Sequence, residues 1–343
     1  KEFRPLILFG LWMAAMCLFC LGIFWLFPTS VPPAGIDWRL YPEMAIIKDV
    51  DAGGNACPSL HVATAVFTAI WIDRLARIVR AQVTGAQVLR ARAVGHEKWV
   101  SSRAAQGRTI IEVRRRGKHL LLDLDGHETL DVHLGMSGVL RLHEFAAAMA
   151  IPRIEKHERL LLHLINNDAH TLLRLVDPRG FGHAVVATRD EVGNVDLAAL
   201  RAMGPEPLEG WTVSNLAAAC ARRGSAIKAT LLDQSVVAGI GNYLADEILF
   251  AAGIHPEAAA NSLSRARLGK LHAAAQRIIS AAVDAGGATI SDYRHPDGSS
   301  GGAQFLLQAY GREHEHCLRC GRPMKKTVVG GRGTTFCSAC QRH

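Results

Sequence analysis

The sequence predicts a multidomain α+β protein in four parts: an N-terminal transmembrane helical segment, an antiparallel β-sandwich, a helical bundle and a small cysteine-rich module. Three observations carry this reading: an uncharged apolar run near the start, short alternating apolar stretches from residue 79 onward, and four cysteines paired close to the end. The 343 residues exceed one average domain of roughly 100–200. With 49% hydrophobic and 20% charged residues, wholesale disorder is excluded. The net charge of +8 is uneven, since residues 1–78 hold six Lys/Arg against six Asp/Glu. The whole basic excess lies beyond residue 78 and points to a polyanionic partner there.

The first part rests on residues 5–27, which are 23 residues without a charge. That is long enough to cross a hydrocarbon layer of about 30 Å at 1.5 Å per residue. A second, weaker span candidate covers residues 56–72. Lys1 and Arg4 precede the first run, and Arg74, Arg77 and Arg80 follow the second. The positive-inside rule then puts both ends in the cytoplasm, with the remaining chain tethered to the inner face of the membrane. Cys17 and Cys20 lie within the apolar run and read as small hydrophobic filler.

From residue 79 the pattern becomes short alternating runs at 83–94, 109–113, 119–124, 130–134, 160–165 and 171–175, which read as antiparallel strands. From about 196 to 286 the chain is Ala/Leu-rich with helical spacing, and from 298 it is Gly-rich and then Cys-rich. The units expected are therefore 1–78, 79–195, 196–297 and 298–343.

Cys317, Cys320, Cys337 and Cys340 form C-x2-C-x16-C-x2-C. This is the spacing of a four-thiolate zinc ribbon holding one Zn2+ ion. Four thiolates leave no open coordination position, so the ion is structural. The hairpin between the knuckles carries Lys325, Lys326 and Arg332, a basic tip suited to phosphate. Upstream, residues 231–243 read LLDQSVVAGIGNY, two apolar turns broken by Gly-Ile-Gly before another helix. Glycines there permit close backbone approach, and amides at a helix N-terminus bind phosphate.

Two resemblances follow from particular strings. Residues 57–61, Cys-Pro-Ser-Leu-His, resemble the central motif of the type 2 phosphatidic acid phosphatase family over about fifty residues, without the flanking motifs that complete its phosphate site. Residues 79–343 resemble the formamidopyrimidine-DNA glycosylase and endonuclease VIII family. The matching strings are RRRGKHLLLDL (114–124), HLGMSG (133–138), EKHERL (155–160), VDPRGFG (176–182), GPEPL (204–208), residues 225–256, QAYGRE (308–313) and the four-cysteine ribbon.

The second resemblance implies a β-sandwich, a helix-two-turns-helix bundle and a zinc finger around damaged double-stranded DNA, acting as a monomer. It also implies excision of oxidised purines such as 8-oxoguanine and formamidopyrimidines, then cleavage of the abasic strand by β/δ elimination. Extruding a nucleotide from the stack costs a few kcal/mol. By position, Met136, Arg179 and Phe181 match the inserted wedge that offsets it. His157, Arg179, Arg223, Lys228 and Asn242 match phosphate and DNA contacts, Lys118 the lysine that assists elimination, and Arg332 the finger-tip arginine. Residues 297–308 correspond to the loop that caps 8-oxoguanine.

The pattern breaks at its start. The family's reaction begins with an N-terminal proline amine that forms a Schiff base, followed by a glutamate, and neither the Pro-Glu terminus nor its opening helix is expected here. Pro42-Glu43 and Pro205-Glu206 are internal and offer no amine. Three readings remain: a bifunctional DNA glycosylase and abasic-site lyase; a damaged-DNA-binding protein without its nucleophile, with Lys118 the amine for any residual lyase activity; and a membrane lipid phosphatase remnant.

Overall fold

The computed structural model describes residues 68–146, 152–287 and 301–343. The span expected at 5–27, the phosphatase-like string 57–61, most of the 56–72 candidate and much of the capping loop lie outside these residues. Among the described residues no helix is long and apolar enough to cross a membrane.

The first described element, helix α1 (Thr68–Val83), runs through the boundary expected at residue 78. Leu75, Ala76, Val79 and Val83 recur every three or four residues and bury one stripe in the apolar cluster shared with the sheets that follow. On the other side, the Arg80 guanidinium donates to the Val113 carbonyl at 2.6 and 2.8 Å, fastening the helix to the second strand of the fold.

Eight strands follow: β1 (Gln87–Ala93), β2 (Ile110–Arg116), β3 (His119–Leu124), β4 (Glu128–His133), β5 (Val139–Phe145), β6 (Glu158–Asn166), β7 (Ala169–Val176) and β8 (His183–Thr188). They make two four-stranded sheets in the orders β1-β6-β7-β5 and β2-β3-β4-β8, every pair antiparallel. Leu160, Leu162, Leu164, Leu173 and Leu175 of the first sheet join Leu120, Leu122, Leu124, Leu130 and Val132 of the second in one core. Because side chains alternate along a strand, His119, Asp131, His133 and His183 project from the other face of the second sheet.

A helical unit comes next. Helix α2 (Val213–Ala221) opens with a capping box between Thr212 and Asn215. Helix α3 (Ile227–Leu232) is joined by two turns to α4 (Asn242–Ala252), and α5 (Arg265–Asp284) packs along α4. Gln234 shapes the turns: its amide donates to the carbonyls of Leu232 and Ile240, and its oxygen accepts the Gly239 amide. Strands β9 (Lys325–Val329) and β10 (Arg332–Phe336) form the last hairpin. Helix α4 anchors this region, because the Glu247 carboxylate accepts the amides of Gln308, Ala309 and Tyr310 and Asp246 accepts that of Thr335.

Candidate nucleic-acid interface and active site

Lys118 stands in the tight turn between β2 and β3, where Gly117 adopts φ +55°. The turn is clamped by Glu206 of the GPEPL string. Its carboxylate accepts the Gly117 amide at 2.6 Å and pairs with Arg115 at 2.7 Å and Arg116 at 3.0 Å. Arg116 also donates to the carbonyls of Met203 and Gly204. Burial pushes the Glu206 carboxyl up, but Arg115, the Gly117 amide and Arg116 together hold it below its ordinary value. The Lys118 amine is pushed down to about 8, first by burial and then by the charge of Arg332.

The residues expected to form a wedge lie on two loops that touch backbone to backbone. A Cβ on Gly135 would lie 2.5 Å from the Gly182 nitrogen, and one on Gly182 would run into the His133 carbonyl. Only glycine permits that approach. Asp177 ties the loops further, accepting Ser137 Oγ at 2.5 Å and the Gly182 amide at 2.8 Å. Met136 and the Arg179–Phe181 pair are thereby brought to one place. The Arg179 guanidinium lies 4.8 Å over the Phe181 ring, and Phe181 is 54% exposed. His157 takes a left-handed φ of +66° in the adjoining turn, and its carbonyl accepts the Asp177 amide.

The residues of the helical unit expected to contact DNA are engaged inside the protein. Lys228 is wholly buried, with its ammonium 2.6 Å from Asp246 and donating to Gly333 O at 3.0 Å and Thr334 Oγ1 at 2.7 Å. An ammonium has three protons, and all three are engaged inside the protein. Lys228 therefore docks the ribbon hairpin. Asn242 is buried as well and donates to the same Gly333 carbonyl at 2.9 Å. Together they fix the residue next to Arg332, which stays exposed at the start of β10. Arg223 is half-buried, pairing with Asp233 at 3.0 Å and donating to the Ala219 carbonyl.

Sequence reading missed a polar cluster on β3, β4 and β8, beginning next to Lys118. His119, His133 and His183 are direct cross-strand neighbours on β3, β4 and β8. Asp131 is fully buried and lies 2.9 and 3.0 Å from His119 Nδ1 and 2.8 Å from His183 Nε2. Burial raises the Asp131 carboxyl, yet bonds from both histidines bring it net below its ordinary value. His133 is pushed down to about 3 by burial and then by its histidine neighbours, and its Nδ1 accepts the Gly135 amide. The available signal was polar residues at alternate positions of apolar strands. It becomes legible only when β3, β4 and β8 are known to be adjacent.

The four ribbon sulfurs lie within 4.8 Å of one another, with Cys317–Cys340 at 3.9 Å and Cys320–Cys337 at 3.5 Å. Zinc–thiolate bonds of about 2.3 Å place tetrahedral sulfurs about 3.8 Å apart. The donor set fits one structural zinc ion.

Two antiparallel sheets, a helix-two-turns-helix unit and a zinc ribbon with a basic tip define a zinc-finger DNA-repair fold. Residues 70–184 match the formamidopyrimidine-DNA glycosylase N-terminal domain, 203–294 its H2TH domain, and 315–342 a zinc finger found in FPG and IleRS. The formamidopyrimidine-DNA glycosylase of Herpetosiphon aurantiacus is 36% identical over 278 residues, covering 79% of this chain and 97% of that protein. The one from Variovorax paradoxus is 39% identical over 265 residues, covering 76% and 94%. The crystal structure of the MutM (FPG) protein from Thermus thermophilus superposes with a TM-score of 0.70 at 36% identity, over 80% of this chain and 98% of that one. The Lactococcus lactis FPG (MutM) protein in complex with Fapy-dG-containing DNA gives 0.68 at 31% identity, over 80% and 99%. The chain belongs to the formamidopyrimidine-DNA glycosylase family. The first match begins at residue 70, inside α1, so the expected loss of the opening helix is corrected: the helix is present and the Pro-Glu that would precede it is not.

Proposed function

We propose that this chain is a base-excision DNA glycosylase and abasic-site lyase for oxidised purines, in which Lys118 takes the part of the imine-forming amine. The observation that supports the reading most is the Lys118 amine lying within reach of the charge of Arg332, more than two hundred residues further along the chain. An amine near 8, desolvated beside a second cation, is partly neutral at physiological pH and so nucleophilic. Lys118 attacks C1′ of the lesion nucleotide as the bond from C1′ to the base breaks, and the base carries away the proton that the amine gives up; the C1′–O4′ bond then opens, O4′ taking a second amine proton, and the imine so formed activates the sugar for elimination. Arg332 binds the departing phosphate, while His157, Arg179 and Arg223 hold the backbone. Met136 and Phe181 fill the stack and Arg179 bonds the orphaned base.

A second reading, a damage-binding protein without catalysis, is favoured by the chain that precedes α1: the residue at the head of the family fold is in peptide linkage and has no free amine. Borohydride trapping on duplexes carrying 8-oxoguanine or an abasic site separates the two. A covalent adduct on both, absent in Lys118→Ala, is expected. An adduct on the abasic duplex alone leaves a lyase, and DNA binding with no adduct on either leaves the binding protein.

A further inference from the structure

We propose that His119, Asp131 and His183 form a second metal site, for one divalent transition-metal ion of the zinc type, on the sheet surface beside Lys118. The donor set is two imidazole nitrogens and one carboxylate, all within 4.8 Å of one another. Ligands sharing an ion at about 2.0–2.2 Å stand about 3–3.5 Å apart. The three N···O separations of 2.8 to 3.0 Å are already close to that range. Only the two imidazoles have to draw together. Two histidines and a carboxylate with an open position are the ligands of catalytic zinc and of related divalent ions, whereas a closed structural site needs four.

The surroundings favour a cation over a plain hydrogen-bonded cluster. Of the other buried carboxylates, Asp123, Glu158 and Asp246 face an arginine or lysine, while Asp177 and Glu247 accept backbone amides and a hydroxyl. Among the described residues Asp131 forms ion pairs with no arginine or lysine, only with two side chains that can turn lone pairs on a metal. Cross-strand register puts His119 and His183 on one face of the sheet, one on each side of His133, so both rings start near the shared carboxylate and need only a side-chain adjustment to meet an ion. The His133 ring, 4.8 and 5.3 Å from the other two, walls one side. The His183 side chain is 27% exposed, against 8% for His119 and none for Asp131, which leaves the open position on the His183 side. The complex carries one net positive charge, suited to a water ligand that a DNA phosphate oxygen displaces.

The test is metal stoichiometry of the full chain dialysed against micromolar free Zn2+, with the ribbon's ion identified by its release on thiol modification. Two ions per chain are expected, one released by the thiol reagent, and one ion in Asp131→Asn and in His183→Ala. His183 is partly exposed, so its replacement decides the matter even where Asp131→Asn fails to fold. A single ion in the unmodified chain, or two that persist in His183→Ala, overturns the site.

Discussion

Replacing Lys228 with alanine leaves the Asp246 carboxylate buried without its cation, and removing one partner of a buried pair costs about 3–5 kcal/mol. Denaturant unfolding should show a loss of that size, which an exposed phosphate contact would not give. The sequence places Lys228 on a DNA-facing string and says nothing of Gly333 and Thr334, more than a hundred residues on, whose docking buries it. Lys118 carries a prediction of a different kind. With its amine near 8, about a tenth is neutral at pH 7, whereas an ordinary lysine offers only a few parts in ten thousand. Below that value the rate of imine trapping on abasic DNA should climb about tenfold per pH unit, then level off above it. Arg332 lowers the amine, so Arg332→Ala should move the plateau to higher pH. A rate that climbs steadily to pH 10 in the unmodified chain would show an unperturbed amine instead.

Among the elements, the β2–β3 turn depends on one carboxylate. Glu206→Gln removes a charge that answers two arginines and an amide, at a cost of about 2–4 kcal/mol, and it frees the turn that aims Lys118. The Glu206 carboxyl is held below its ordinary 4.5, so its contribution is present above that value and is lost as pH falls through the lower folded value. Thermal melts across the acid range should fall less steeply in Glu206→Gln than in the parent. Strands β3, β4, β6 and β7 are legible in the sequence because each pairs within the second or first sheet along a dense apolar run. Strands β5 and β8 do not stand out there: β8 is mostly half-buried along its length and β5 has only Leu140 and Leu142 fully buried. Helix α1 reads as the tail of an apolar run, although its buried residues form a single stripe that only its docking on β2 reveals.

At the scale of the whole molecule, the ribbon hairpin is seated on the helical unit. The Gly333 carbonyl accepts from both Lys228 and Asn242, the Thr335 amide meets Asp246, and Gly330 packs beside Ala229. The cysteine spacing announces the zinc, and the family strings announce the parts, but neither indicates that one hairpin sets both the burial of Lys228 and the place of Arg332. Structural zinc contributes folding free energy directly, and a hairpin this short has little core of its own. Cys337→Ser should therefore loosen the hairpin, carry Arg332 away from Lys118, and raise the amine. Its trapping profile should then move to higher pH, as in Arg332→Ala, and the two changes combined should move it no further. An unshifted plateau in Cys337→Ser would mean that Arg332 keeps its place without the metal, held by the Lys228 and Asn242 bonds alone.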